Sequence, residues 1–178
     1  MVNSMETTGE DKPIGYTLFE RLYSRHHQQV FAFLLGMTGE FSLAEDLLQE
    51  VFVSFARNLK NIDAEGNVLA YLLKSAKHKV ANYWRRHERQ KNFREQYRIF
   101  LVKEKTGLTG ENCECEKLRK LEQALAKLPD EEREVILLKT KSGLKFREIA
   151  TVLQIPQGTA ATRYRTALAR LRETMTDE

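Results

Sequence analysis

Cysteine is nearly absent from this chain: it has two, Cys113 and Cys115, one residue apart in a polar stretch. Thiols that close in sequence rarely form a structural disulfide, and a zinc site normally takes four ligands, which this neighbourhood does not supply. The four histidines, His26, His27, His78 and His87, are all distant in sequence. The pair therefore reads as free thiols in a linker, and no metal site is assigned. Proline is almost as scarce, with three residues, and nine glycines leave long periodic runs intact, so an all-helical chain is the default. No apolar stretch approaches the ~20 residues needed to cross a bilayer. The opening residues, MVNSMETTGEDKP, are polar and acidic rather than signal-like. Direct membrane insertion is not expected, and a cytoplasmic location is. Also missing are a P-loop, an H-E-x-x-H pair, paired catalytic carboxylates and a nucleophile motif. No catalytic residue or cofactor is assigned, and the chain is not expected to be an enzyme on its own.

What is present is a hydrophobic fraction of 42%, enough for real cores in a 178-residue chain. The net charge of +4 is modest, but its distribution is uneven. Lys74, Lys77, Lys79, Arg85, Arg86, Arg89, Lys91, Arg94 and Arg98 crowd one segment, while acid collects between Glu111 and Glu134. A second basic region lies near the C-terminus. Two separate basic regions suit two contacts with a polyanion, although a solvated basic helix face without a partner has the same composition.

Helical periodicity organises the chain. Leu18, Phe19, Leu22, Tyr23, Val30, Phe31, Phe33 and Leu34 describe one long helix or a helical pair, ended by Gly36 and Gly39. Ser42-Leu43-Ala44-Glu45 has the form of a capping box, which predicts a helix from Leu43. Its apolar stripe is Leu43, Leu47, Leu48, Val51, Phe52, Phe55 and Leu59. After a turn-rich break at 61–67, Leu69, Leu72, Leu73, Ala76, Val80 and Tyr83 or Trp84 give the buried side of another helix, from about Val68 to beyond Arg89. KEKTGLTGEN at 103–112 has the composition of a flexible linker. Helix resumes near Glu114 with Leu118, Leu121, Leu125 and Leu128, and Pro129 followed by Asp130, Glu131 and Glu132 suits a helix start, with that helix covering about 131–141.

The last segment, KFREIATVLQIPQGTAATRYRTALARLR at 145–172, reads as a helix-turn-helix. Phe146, Ile149, Ala150 and Leu153, then Ala160, Tyr164, Ala167, Leu168 and Leu171, give helical spacing twice, with Ala150 at the crossing, Ile155 plugging the turn and Pro156 barring simple continuation. The second helix presents Thr159, Thr162, Arg163, Arg165 and Thr166 among its polar positions, as a helix reading the major groove requires. An ordinary helical hairpin with a basic face has the same pattern. The organisation expected is a disordered leader (1–15), a helical domain (16–97), a linker (98–113) and a four-helix domain carrying the helix-turn-helix (114–178).

Taken in order, DLLQEVFVSFARNL (46–59), AYLLKSAKHKVANYWRR (70–86), LAKLPDEEREVILLK (125–139) and the helix-turn-helix resemble the extracytoplasmic function group of bacterial sigma factors, of the sigma-70 family. The resemblance implies a sigma two domain that binds the clamp helices of the polymerase β′ subunit and the minus-ten element, and a sigma four domain that binds the minus-thirty-five element. It implies an alternative sigma factor that takes core RNA polymerase to promoter DNA and helps to melt it, with an anti-sigma factor as a further partner.

Physical reading of the blocks accords with these implied tasks. Asp46, Gln49, Glu50 and Ser54 lie largely along one helix flank where a clamp helix could dock, with Phe52 or Val53 adding an apolar contact. A plain solvated face explains the same spacing, and a divalent ion on Asp46 and Glu50 would need more ligands than two. Tyr71, Lys74, Lys77, His78, Asn82, Arg85 and Arg86 combine aromatic and cationic groups suited to unpaired bases and phosphates. By resemblance, the loop from Asp63 to Asn67 would hold an extruded base. Core packing is the competing role for Tyr83 and Trp84. Departures from the family pattern are Tyr71 in place of tryptophan, His78 in place of asparagine, Ala161 where a basic residue is common, Gln154 in place of glycine at a position that requires positive φ, and Pro156 in place of a capping serine. Two rivals remain on sequence grounds: a free-standing operator-binding regulator, and an antagonist that keeps the fold but sequesters polymerase or DNA.

Overall fold

The computed structural model describes residues 14–59, 67–87 and 113–176. Most of the expected leader, the loop 60–66 with Asp63, and the expected linker lie outside the described residues. The described chain is all-helical. In the N-terminal unit α1 (Ile14–Thr38), α2 (Phe41–Asn58) and α3 (Val68–Arg86) pack on one another. Of the two expectations for the first periodic run, the single long helix is the one found. Helix α1 already begins at Ile14, inside the expected leader, and Gly36 stays within it. Gly39, at φ 68°, supplies the left-handed residue that ends α1, its N–H bonding to Leu35 O at 2.8 Å.

The predicted capping box is not formed. Helix α2 starts at Phe41 with Glu40 as its N-cap, and no side chain makes the cap bond. The cause lies just upstream. The buried Thr38 hydroxyl donates to Leu34 O at 2.9 Å and lies 3.3 Å from the Glu40 N–H it accepts, which turns the chain within two residues. Ser42 is then already inside the first helical turn, where its side chain cannot serve as a cap. Phe41 sets the entry of α2 by packing edge-on against Phe31, with ring centroids 5.2 Å apart. The expected stripe is buried at Leu43, Leu47, Val51, Phe52 and Phe55, and half-buried at Leu48 and Leu59.

The C-terminal unit consists of α4 (Cys113–Lys127), α5 (Asp130–Thr140), α6 (Phe146–Leu153) and α7 (Gln157–Thr176). Cys113 and Cys115 therefore fall in the first turn of α4 rather than in a linker. Pro129 is the N-cap of α5 rather than its first helical residue, and Asp130, Glu131 and Glu132 follow at the positive end of the helix dipole. Arg133, 1% exposed, reaches back to Ala126 O and Asp130 and so ties the α4–α5 turn together. Helices α6 and α7 form the expected helix-turn-helix. Gln154 takes the left-handed conformation at φ 56°, ψ 45°, and the half-buried Ile155 fills the turn. Ala150 is only half-buried; the fully buried alanines, Ala160 and Ala167, are on the other helix of the pair.

The two units are packed together. Helix α1 lies against α5 and α3 against α6, and one apolar cluster runs from Phe33, Leu72 and Leu73 through Leu137, Leu138, Ile149 and Val152. A second, smaller cluster of Ala124, Leu128, Ile136, Ala167 and Leu171 holds the far side of the C-terminal unit.

Gln154 is the one described non-glycine residue at positive φ. Replacing it with glycine should stabilise the protein by about 0.5–1 kcal/mol, since glycine pays no Cβ penalty there. Urea unfolding checks this, and an unchanged or lower midpoint would show that the turn stores no strain.

Candidate nucleic-acid and partner interfaces

The flank of α2 is set by helical spacing against its buried stripe. Asp46, Gln49 and Glu50 are exposed, and Ser54 is half-buried. Glu50 forms an ion pair with Lys79 of α3 at 2.8 Å. Of the two apolar candidates, Val53 is 49% exposed and Phe52 only 3%. The Phe52 ring packs edge-on against Tyr23 at 4.7 Å and against Phe55 at 6.2 Å, so it belongs to the core and leaves the flank to Val53. The reason is register: Phe52 follows Leu48 by four and precedes Phe55 by three, which puts it on the inward stripe.

On α3 the candidate residues divide between two faces. Tyr71, His78, Asn82 and Arg85 are exposed, with Lys74 half-buried, and they recur at intervals of three and four along one open face. Arg86, also exposed, adjoins it. Tyr71 rests one edge of its ring near Phe55, with centroids 6.2 Å apart, and Arg85 donates to Asn82 Oδ1 at 2.7 Å. Tyr83 and Trp84 are both half-buried against the core, Tyr83 stacked on His87 at 4.2 Å and set edge-on to Trp84 at 4.9 Å. Packing is thus the structural role of both rings.

Lys77 and Asn67 point the other way, towards the C-terminal unit. Lys77 Nζ lies 3.3 Å from Glu134 Oε2 of α5. Asn67 caps α3 by accepting the Ala70 N–H at 2.9 Å, and its Nδ2 donates to Glu148 Oε1 of α6 at 2.6 Å. Glu148 Oε2 in turn accepts the Lys145 N–H at 2.7 Å. Lysine has no acceptor to cap with, so this glutamate supplies the cap of α6. Burial pushes the Glu134 carboxyl above the ordinary range, and the Lys77 ammonium partly offsets that.

Along α7, Thr162, Arg165 and Thr166 are exposed and Thr159 is half-buried. Thr166 donates its hydroxyl to Thr162 O at 3.1 Å. Arg163 is half-buried and paired with Glu131 of α5, which holds it against its own unit. The open polar face of α7 is therefore carried by Thr162, Arg165 and Thr166. The sequence pattern did not show the partners of the glutamates engaging these cations and the amide: Glu131, Glu134 and Glu148. Glu131 stands in it only as part of a helix start, and Glu134 only as the end of an acidic stretch.

Comparison with known proteins places this geometry. The profile of sigma-70 region 2 matches residues 22–90 and that of sigma-70 region 4 matches residues 118–171. RNA polymerase sigma factor CarQ of Myxococcus xanthus is 29% identical over 159 residues, covering 87% of this chain and 87% of that protein. The extracytoplasmic function sigma factor SigX of Bacillus subtilis is 25% identical over 169 residues, covering 88% and 83%. Sigma factor RpoE of Bartonella quintana, solved in complex with the anti-sigma factor NepR, shares the fold at a TM-score of 0.67 and 20% identity, covering 90% of this chain and 98% of that one. A helical chain carrying region 2 and then region 4 is a non-catalytic transcription initiation factor. The chain belongs to the extracytoplasmic function group of the sigma-70 family, whose members direct RNA polymerase in transcription initiation.

Burial, outweighing the Lys77 contact, sets the direction of the Glu134 shift. A glutamate whose folded-state pKa is raised above the ordinary 4.5 contributes stability that is fully present below the unfolded value and lost as pH rises through the folded one. The stability of wild type relative to Glu134→Gln should therefore increase on acidification from neutral towards pH 4.5. Groups common to both proteins cancel in that difference, so a pH-independent gap between their urea midpoints would contradict the assignment.

Proposed function

We propose that the three exposed faces divide the work of initiation. The α2 flank of Asp46, Gln49, Glu50 and Val53 docks on the clamp helices of the polymerase β′ subunit, where an acidic rim around one apolar residue suits a charged coiled coil. The α3 face of Tyr71, Lys74, His78, Asn82, Arg85 and Arg86, joined by Lys77, Asn67 and Asp63, holds the melted minus-ten strand. The observation that carries this reading is the regular spacing of aromatic and basic groups along one open helix face. Stacking on such a ring contributes about 1–3 kcal/mol per base, and the cations hold phosphates. The free face of α7, with Thr159, Thr162, Arg165 and Thr166, reads the minus-thirty-five duplex, and Arg163 joins it when its pairing with Glu131 is released.

With Ala161 where a basic side chain is common, duplex recognition rests mainly on Arg165 and the threonines. An anti-sigma factor is a further partner, by analogy with RpoE, whose solved complex contains NepR. No helix among the described residues is long and apolar enough to cross a membrane.

Two variants separate the two faces of the N-terminal unit. Reversing charge at both Asp46 and Glu50 to lysine should weaken binding to core polymerase about tenfold or more, equivalent to about 1.4 kcal/mol, with helicity unchanged. Tyr71→Ala should leave core affinity intact and reduce specific run-off transcripts. Unchanged core affinity in the first variant would remove the α2 assignment, and undiminished run-off in the second would remove the α3 assignment.

A further inference from the structure

The first turn of α5 sets three carboxylates against three arginines. Asp130 meets Arg133 of its own helix, while Glu131 and Glu132 meet Arg163 and Arg170 of α7. The two contacts with α7 differ in setting. Glu132 is 13% exposed and lies 3.4 Å from Arg170 Nε, whereas Glu131 is 69% exposed and its Oε2 lies 2.5 Å from Arg163 Nη2. Arg163 follows Thr159 by four residues and precedes Thr166 by three, so its stem borders the open polar face of α7 although its guanidinium is turned to α5. An arginine keeps its charge at every ordinary pH, so its partner is decided by which anion reaches it. Carboxylate and phosphate oxygens both fit that fork of donors, which makes Glu131 a built-in rival of the DNA backbone.

We infer that Glu131 is a specificity-determining residue of the recognition helix, withholding Arg163 from the backbone of duplex of any sequence and yielding it only where α7 is seated in register. This rests on the reading of α7 as the helix that enters the major groove. Non-specific binding is almost wholly electrostatic, and each phosphate neutralised steepens the fall of log affinity with log salt by about 0.9. Holding back one cation therefore weakens binding at every wrong site. At the right site, base contacts from Arg165 and the threonines fix the helix, and the backbone phosphates then stand in a defined register beside it. Arg163 there exchanges one anion for another at little cost. An exposed ion pair suits such an exchange, because it is weak and screened by salt. Its loss should leave the fold intact, since Ile136, Ala167 and Leu171 join α5 to α7 and Glu132 stays on Arg170.

The test uses the full chain and two fluorescent duplexes, titrated at salt from about 50 to 200 mM. One duplex has mixed sequence, and the other carries the upstream element of a promoter that yields a specific run-off transcript. Glu131→Gln keeps the side chain's length, and Asp130 and Glu132 remain at the positive end of the α5 dipole, so the helix should persist. This variant should bind the mixed duplex more tightly than wild type and steepen its salt dependence by about 0.9, an advantage that shrinks about threefold across that range. The promoter duplex should gain less, so discrimination between the two falls. Adding Arg163→Gln should abolish the gain, whereas a gain from lost repulsion alone would survive it. No gain on the mixed duplex, a gain that persists without Arg163, or an equal gain on both duplexes would overturn the inference. Arg165→Ala distinguishes failure of the underlying reading: if it weakens binding to neither duplex, α7 is not the reading helix and the inference falls with it.

Discussion

Four consecutive apolar residues, Val135 to Leu138, ring the short helix α5, and no single neighbour can bury them. At 3.6 residues per turn, four successive side chains point around most of the helix circumference. Ile136 turns inward to Ala124, Leu128, Ala167 and Leu171, which completes region 4 on one side. Val135, Leu137 and Leu138 face the other way and join the cluster that includes Val30, Phe33 and Leu34 of α1. Each such side chain gains about 1.5–3 kcal/mol from full burial, so leaving that face open to water is costly. Gly36 is what lets α1 approach closely enough to cover it. The relation of the two units follows from this pair of surfaces.

The same helix distributes the polar contacts. From α5, Glu134 reaches out to Lys77 of region 2, while Glu131 reaches across to Arg163 of the recognition helix and Glu132 to Arg170. The acidic end of one short helix therefore touches cations of both α3 and α7 at once. Partly exposed ion pairs contribute little stability, so they act on which partner the cations meet more than on whether the chain folds. The α3 face and the outer face of α7 stay open to solvent.

Helix type and order were legible in the sequence because amphipathic stripes such as Leu43 to Leu59 repeat over many turns. The strain at Gln154 was legible because one backbone position in a helix-turn-helix demands it. The Ser42 capping box was misread for a physical reason: the motif is local, whereas the start of α2 is decided by Thr38 and Gly39 upstream. Phe52 was placed on a binding flank because the stripe and the flank adjoin, and only its ring contacts with Tyr23 and Phe55 settle its side. The opposition of Lys77 to Glu134 joins residues far apart in sequence, and no periodicity encodes such a contact. A hint was available in the Val135–Leu138 run, since a helix apolar all round must be covered on every side.

Burial of Val135, Leu137 and Leu138 against α1 clasps the two units together. Spin labels at the exposed Ala56 of α2 and Ala169 of α7, in a variant with Cys113 and Cys115 replaced by serine, would report the separation by pulsed dipolar spectroscopy. One narrow distance, lost on replacing the buried Leu137 with aspartate, is the result expected. A broad distribution in the unaltered protein, or a distance that the Leu137→Asp change leaves narrow, would contradict it.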